Sequence, residues 1–125
     1  MTMSHFTLLA RVLFVIALIG ATTLAVMPQP PDLPTDQFGD KVNHIIAFSV
    51  LAALAAAGWP QASRWRTIER LSFLGALIEV VQSVPVLHRD CDIRDWIADT
   101  LAVVVVTALA ALVVRARDAA TGRGA

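Results

Sequence analysis

Four long apolar runs, separated by short polar or proline-rich segments, dominate the pattern of this chain. The runs cover residues 8–27, 42–59, 68–84 and 95–114. Each approaches the roughly 20 residues that an α-helix needs to cross the hydrocarbon core of a bilayer. The fourth run is rich in Val, but an isolated strand in lipid would leave its backbone groups unpaired, so it also predicts a helix. The pattern predicts an all-α integral membrane protein, a four-helix bundle in a single domain over residues 1–125.

Proline marks the ends of the runs. Four prolines lie within residues 27–40, and Pro60 and Pro85 follow the second and third runs. Proline removes a backbone donor and disfavours helical geometry in the preceding residue. These segments are therefore predicted connections, and they are short enough to make neighbouring helices antiparallel.

The first run contains one charged residue, Arg11, close enough to its start to reach the lipid headgroups by snorkelling. A cleaved signal peptide is the alternative interpretation of this run. Residues 21–27 show no clean small-x-small cleavage site, and three further apolar runs follow, so an uncleaved helix is favoured.

The distribution of basic residues predicts the orientation. With both termini cytoplasmic, seven arginines lie inside and three basic residues lie outside. The inner set is Arg11, Arg64, Arg66, Arg70, Arg115, Arg117 and Arg123, and the outer set is Lys41, Arg89 and Arg94. Because Lys and Arg are retained on the cytoplasmic side, this excess favours cytoplasmic N and C termini.

Composition supports the membrane class and excludes others. The chain is 57% apolar and has a mean hydropathy of +0.68, above the level usual for a soluble domain. The formal net charge is zero and the basic residues form no patch with interleaved aromatics, which argues against a nucleic-acid partner. The single cysteine, Cys91, excludes an internal disulfide and is interpreted as a loop residue.

Three ionisable residues, His44, Glu79 and Asp99, each lie inside a different apolar run. Such groups are unfavourable at membrane depth, so they usually face a bundle interior, a partner or a wet cavity. A rise of about 1.5 Å per residue places all three at similar depths near the outer membrane face. We therefore expect them to meet in a cavity that is open to the outer leaflet, floored by Glu79 and lined by His44, Gln82 and Asp99.

Further polar residues share helix faces with these three. Asp40, Gln82 and Asp95 lie one turn away along the same faces, with Lys41 and Arg89 close by. Interhelical hydrogen bonding is the alternative, because polar groups also hold small membrane bundles together, and for Gln82 alone that interpretation is favoured. Three titratable groups exceed what packing requires, so a functional site is the favoured interpretation of the set.

The order of the motifs resembles the VanZ-like family of membrane proteins, named for a teicoplanin-resistance accessory protein. The matching pieces are AspLysValAsnHis at 40–44 followed by Phe48, GlyAlaLeuIleGluValValGln at 75–82, a charged loop with Arg89, and AspTrpIleAlaAsp at 95–99. The resemblance covers about residues 40–114, and the first run fits the family only as a generic helix.

Carried over by position, the resemblance implies a set of polar ligand-binding residues, namely Asp40, Lys41, His44, Glu79, Gln82, Arg89, Asp95 and Asp99. The chain departs from the family in two places. Asp99 stands where many members carry Asn, which adds a charge and favours a protonated Asp99 or a cation partner. Ala102 and Val103 to Val106 stand where small glycines usually follow, which puts close helix packing there in doubt.

The resemblance also implies a multi-pass protein of the bacterial inner membrane, associated with the cell envelope and linked to teicoplanin susceptibility. The favoured function is a module that binds or moves a polar or anionic lipid-linked group at the outer leaflet. Its partners would be membrane lipids or a lipid-linked envelope precursor. Lys41, His44 and Arg89 are candidate headgroup contacts because cations bind phosphate through charge-assisted hydrogen bonds, and Gln82 would orient the ligand.

Three other functions stay open. An enzyme would use His44, Glu79 or Asp99 as a catalytic group, and these residues with Asp40 and Asp95 could hold a divalent metal. No diagnostic spacing accompanies them, so an enzyme is less favoured and neither a metal nor a cofactor is predicted. A proton-coupled carrier would need more than four helices, hence a homo-oligomer, and no internal repeat is visible. A purely structural partner protein is the fourth option.

Overall fold

The computed structural model describes residues 3–89 and 91–122, and these residues form four α-helices. The helices are α1 (His5–Val26), α2 (Asp40–Gly58), α3 (Arg64–Gln82) and α4 (Ile93–Thr121). Short 3-10 turns, Pro34–Phe38 and Pro85–Leu87, lie in two of the connections. Within the described ranges there is no strand, so the prediction of an all-α four-helix protein is confirmed.

The observed helices extend beyond the apolar runs at several ends. α1 begins three residues earlier than predicted, where the Ser4 hydroxyl accepts a hydrogen bond from the Thr7 amide at 3.1 Å. α3 begins at Arg64, before the apolar run, and α4 continues seven residues past its predicted end to Thr121, where Gly122 caps it at φ 69°. Arginine and alanine are good helix formers in water, so a helix continues where the hydrophobic pattern stops.

Among the described residues, three helices are long and apolar enough to cross a membrane, namely α1, α2 and α4. α3 differs because its first two turns carry Arg64, Arg66, Glu69 and Arg70. Its remaining residues, 71–82, span about 18 Å at about 1.5 Å per residue, which is less than the hydrocarbon core of about 30 Å. The membrane class is therefore indicated by three helices.

The buried core lies between α2, α3 and α4. It consists of Phe48, Leu51, Ala52, Leu71, Ile78 and Val103. Val103 is fully buried although it stands where the family is expected to have a small residue. The close approach is made instead at Gly75 of α3, where a Cβ would lie 3.2 Å from Oδ2 of Asp99 and 3.4 Å from Cδ1 of Trp96. The valines of α4 thus do not prevent close packing.

Arg11 joins α1 to the C-terminal end of α2. Its Nε donates to the carbonyl oxygen of Gly58 at 2.6 Å, and its guanidinium lies 5.2 Å from the ring centroid of Trp59. The last carbonyls of a helix lack partners within the helix, and the missing side chain at Gly58 lets Arg11 approach. Arg11, expected to reach for lipid headgroups, therefore serves as an interhelical cap.

Contacts at the opposite end of the bundle bring four helix termini together. Gln82 at the end of α3 contacts Ala25 near the end of α1, and Lys41 at the start of α2 contacts Asp95 at the start of α4. This is the arrangement expected of antiparallel neighbours with short connections. The predicted polar residues are carried on these termini.

Candidate functional site

His44 lies at the centre of the site and contacts carboxylates through both ring nitrogens. Its Nδ1 is 3.2 Å from both Oδ1 and Oδ2 of Asp99, and its Nε2 is 3.5 Å from Oδ2 of Asp40. Asp99 is fully buried and His44 is 8% exposed. An ionised carboxylate only accepts hydrogen bonds, so an imidazolium with two N–H donors satisfies both partners. His44 thus supplies the cation partner that the additional charge at Asp99 requires.

Glu79 completes the predicted group from α3. It is 6% exposed, and its Oε2 accepts a hydrogen bond from the backbone amide of Asp92 at 3.0 Å. Its Oε1 is buried and has no hydrogen-bond partner among the described residues. His44, Glu79 and Asp99 each offer a nitrogen or oxygen atom within 4.8 Å of the other two. The prediction that these three residues meet is confirmed.

A second group of carboxylates surrounds the other face of the imidazole. Asp40, His44 and Asp95 also offer atoms that lie within 4.8 Å of one another. Asp95 is 6% exposed, and its Oδ1 lies 3.9 Å from Nζ of Lys41. We call the five residues of both groups, together with Lys41, the polar cluster: Asp40, Lys41, His44, Glu79, Asp95 and Asp99. It holds four carboxylates and two groups able to carry positive charge.

A cavity of about 720 Å³ adjoins the polar cluster. The apolar part of the lining, called the apolar wall, comes from α1, α2, Ile78 of α3, and Leu33 and three prolines of the α1–α2 connection. The polar part of the lining comes from the α1–α2 connection, the start of α2 and the segment before α4. The apolar wall includes Ala21, Leu24, Ala47, Phe48 and Ile78, and the polar lining includes Asp32, Asp36, Asp40, Lys41, Asn43, His44, His88, Arg89, Asp92 and Asp95. The volume falls within the range of roughly 300 to 1,000 Å³ that is usual for small-molecule sites.

Three of the predicted cavity residues do not belong to this lining. Glu79, Gln82 and Asp99 are not among the described residues that line the cavity, and Gln82 contacts α1 instead. Gln82 is 1% exposed, and its Nε2 donates to the carbonyl oxygen of Ala25 at 2.8 Å. The final carbonyls of α1 need partners, and an amide side chain on α3 supplies one. The contact therefore favours a role for Gln82 in joining α3 to α1 over its predicted role in orienting a ligand.

The connection between α1 and α2 is fixed at the mouth of the cavity by side chains that sequence reasoning did not select. Asn43 Nδ2 donates to Oδ1 of Asp36 at 2.7 Å, and the hydroxyl of Thr35 donates to Oδ1 of Asn43. The other oxygen of Asp36 accepts from the amide of Leu33 at 2.7 Å. Asn43 lies inside the 40–44 motif and next to His44, which is the signal that could have identified it.

Arg89 is held beside the end of α1. Its Nη1 donates to the carbonyl oxygen of Met27 at 3.4 Å, and the residue is half-buried. One guanidinium nitrogen is thus engaged in this contact, and Arg89 also lines the cavity. Because guanidinium carries five N–H donors, the remaining ones are available to an anion there.

Cys91 lies in the connection before α4 and is exposed. Partial desolvation by its neighbours and the nearby carboxylate of Glu79 raise the pKa of the Cys91 thiol above its usual value. The thiolate is the reactive form of cysteine, so a raised pKa makes the side chain less reactive at neutral pH. This agrees with the interpretation of Cys91 as a loop residue.

Comparison with known proteins finds no match: no family model fits the chain, and neither a curated protein nor a solved structure is similar to it. The resemblance to the VanZ-like family therefore depends on the motifs alone. Function has to be argued from the cavity and the polar cluster.

Proposed function

We propose that the protein is a VanZ-like, multi-pass protein of the bacterial inner membrane that binds or moves a lipid-linked group of the cell envelope. The observation that carries the proposal is one cavity that is lined by both apolar and charged side chains. A ligand with an apolar chain and a polar headgroup matches both parts, whereas a wholly polar solute would leave the apolar wall without a partner.

The apolar wall suits a hydrocarbon chain. Leu24 of α1 faces the cavity together with Ala47 and Phe48 of α2. Small alanine side chains leave room between two membrane helices, and an inserted chain would fill that room with van der Waals contacts. The chain of a lipid anchor would thus enter along α1 and α2.

The charges of the lining favour a headgroup that has both an anionic part and hydrogen-bond donors. Five aspartates line the cavity, against Lys41 and Arg89 as permanent cations. A phosphate would bind the two cations through charge-assisted hydrogen bonds. Hydroxyl or amine donors on the same headgroup would bind the aspartates, because ionised carboxylates only accept. Such a headgroup is a polar, partly anionic case of the polar or anionic lipid-linked group expected from the sequence.

Charge and exposure support one arrangement in the membrane. Phe73, Leu77 and Val80 of α3 are exposed apolar residues, which would face lipid if the whole helix, about 28 Å long, forms a fourth span with its charged first turns in the headgroup region. The charged first turns of α3 would then lie at the cytoplasmic surface, together with both termini. The cavity would open to the outer leaflet.

The native Cys91 tests this orientation, because it is the only cysteine in the sequence. In intact cells, an impermeant maleimide should label Cys91 from outside. A Ser63→Cys variant that also carries Cys91→Ser should react only after the membrane is permeabilised. The opposite labelling pattern would reverse the orientation and would place the cavity on the cytoplasmic side.

Lipid-inclusive mass spectrometry of gently extracted protein tests the proposed ligand. Wild type should retain an amphiphile, and Leu24→Trp, which fills the apolar wall, should lose it. The double variant Lys41→Gln, Arg89→Gln should also lose it, because its two cations are gone. Arg94→Gln is the matched control, since Arg94 is a basic residue of the same region that does not line the cavity. Equal retention in all four proteins would refute cavity binding.

The cellular counterpart uses a deletion strain and its susceptibility to teicoplanin or another envelope stress. Wild type and Arg94→Gln should complement the deletion, and Leu24→Trp should not, at matched membrane abundance. Full complementation by Leu24→Trp would separate the envelope function from the cavity.

A further inference from the structure

We propose that His44, Glu79 and Asp99 bind one divalent transition-metal ion, such as Zn²⁺, where α2, α3 and α4 meet. The inference does not depend on the lipid-linked ligand, since none of its steps involves the apolar wall of the cavity. It begins with the one imidazole nitrogen and two carboxylates that lie within 4.8 Å of one another.

The spacing of these groups fits metal coordination. In a tetrahedral zinc site with ligands at about 2.0 to 2.1 Å, neighbouring ligand atoms lie about 3.3 Å apart. Nδ1 of His44 lies 3.2 Å from an oxygen of Asp99, close to that separation. Glu79 offers the third atom within 4.8 Å of both, so a modest side-chain movement completes the set.

An unpartnered buried oxygen supplies the second, independent observation. Oε1 of Glu79 is buried and has no partner of normal hydrogen-bond geometry among the described residues, and the thiol of Cys91 beside the carboxylate is only a weak donor. Buried polar atoms are nearly always paired, and an exception calls for an explanation such as an ion. A cation bound beside His44 and Asp99 would give this oxygen its partner.

Residues around the proposed site make the hydrogen bonds that usually orient the side chains of metal ligands. Asp40 faces Nε2 of His44 at 3.5 Å, so when a metal replaces the proton on Nδ1, the remaining ring proton stays on Nε2 with Asp40 as its acceptor. The amide of Asp92 donates to Oε2 of Glu79 at 3.0 Å and orients that carboxylate. Such outer hydrogen bonds fix the tautomer of a ligating histidine and the direction of a ligating carboxylate.

The charge of the polar cluster favours a cation. When all its groups are ionised, four carboxylates face Lys41 and a protonated His44, which leaves a surplus of two negative charges. A divalent ion that replaces the Nδ1 proton reduces the surplus to one. Since charge is poorly solvated inside a membrane bundle, the bound state is the better compensated of the two.

The donor set also selects the kind of metal. One imidazole and two carboxylates suit Zn²⁺ or Mn²⁺, whereas Mg²⁺ and Ca²⁺ prefer oxygen ligands alone. The alternative group of Asp40, His44 and Asp95 has the same chemistry, but Asp40 is exposed and neither aspartate has an unpartnered buried oxygen among the described residues. We therefore assign the site to the group that contains Glu79.

Zn²⁺ titration of the purified full chain in detergent, after removal of metals with a chelator, tests the proposal. We expect one Zn²⁺ per chain by elemental analysis and a rise in the thermal unfolding temperature on Zn²⁺ addition. Glu79→Gln should weaken binding by at least tenfold, and Asp40→Asn by about 10- to 100-fold as a supporting group. Asp118→Asn, which removes a carboxylate from the distant part of α4, is the control and should bind as wild type does.

Three outcomes would overturn the assignment: no saturable Zn²⁺ binding to wild type, unchanged affinity in Glu79→Gln, or a loss in Asp118→Asn equal to that in Glu79→Gln. Circular dichroism shows whether each variant keeps its helical content. If Glu79→Gln does not fold, the visible spectrum of Co²⁺ bound to wild type decides the question. Absorption bands of Co²⁺ with nitrogen and oxygen ligands support the site, and the spectrum of hydrated Co²⁺ alone refutes it.

Discussion

The contact between His44 and Asp99 provides the sharpest test of the site, because it joins two helices through buried groups of opposite charge. We expect a double-mutant cycle of His44→Ala and Asp99→Ala to show strong coupling between the two side chains. Asp99 is fully buried, and both its oxygens lie 3.2 Å from Nδ1 of His44. Asp99→Asn keeps the shape of the side chain and an acceptor oxygen while it removes the charge.

The magnitude follows from comparison of charged and neutral hydrogen bonds. Hydrogen bonds to charged groups contribute about 1.5–3 kcal/mol, whereas polar pairs in membrane bundles average about 0.6 and reach about 1.7 kcal/mol. For this charged and buried pair we expect a coupling free energy of about 2 kcal/mol. With Asn at position 99, the coupling should fall to about 0.6 kcal/mol, the value of an ordinary polar pair.

Unfolding by SDS in mixed micelles, followed by circular dichroism, measures the four free energies of the cycle. The cycle cancels the cavity that each alanine leaves, provided that neither single variant makes new contacts. A coupling below about 0.5 kcal/mol would mean that the two groups do not form a charge-assisted pair. An Asn cycle equal to the Asp cycle would show that the charge of Asp99 contributes nothing.

Three further perturbations test separate contacts. Gly75→Val should lower the free energy of unfolding by about 1–3 kcal/mol, because a Cβ at position 75 would lie 3.2 Å from Asp99 of α4. Gly20→Val is the control and should leave the free energy of unfolding unchanged, since a Cβ there meets nothing within 4 Å. Equal losses in the two variants would refute the close approach. Arg11→Met keeps the apolar stem but removes the hydrogen bond that caps α2, and it should lower the free energy of unfolding by about 1.5–3 kcal/mol. An unchanged free energy of unfolding would show that this hydrogen bond does not stabilise the bundle. Glu79→Gln should accelerate alkylation of Cys91 at pH 7.5. Loss of the carboxylate lowers the raised pKa of the Cys91 thiol and so increases the fraction present as thiolate. An alkylation rate equal to that of wild type would contradict the proximity of Cys91 and Glu79.

The meeting of His44, Glu79 and Asp99 could be predicted from the sequence because two simple quantities determine it. Helical rise sets the depth of each residue, and the unfavourable free energy of a charge in lipid turns each side chain toward the interior. Neither quantity depends on the details of packing. The bounds of the helices were less predictable, since α3 and α4 extend into water where the apolar pattern no longer applies.

The partners of single side chains could not be predicted, because they depend on the rotation of each helix about its axis. Gln82 lies one turn from Glu79, yet it contacts the end of α1 while Glu79 contacts the start of α4. In a membrane helix, apolar residues surround the helix on all sides, so the hydrophobic pattern does not indicate which face meets which neighbour. The same limit applies to Asn43, whose partners lie in an irregular connection.

The cavity and the proposed metal site share one imidazole ring, and this links them physically. Nε2 of His44 faces Asp40, which lines the cavity, while Nδ1 faces Asp99, which does not. A ligand in the cavity that donates a hydrogen bond to Asp40 would compete with Nε2 of His44 for that carboxylate. The proton on Nε2 would then be less stabilised, which would change how readily Nδ1 binds a cation. Because coupling between two binding sites is reciprocal, we expect a cation at Nδ1 to alter the affinity of the cavity for its ligand by the same factor. His44 is therefore the residue through which we expect the two proposed sites to influence each other, because it is the residue that contacts both Asp40 and Asp99.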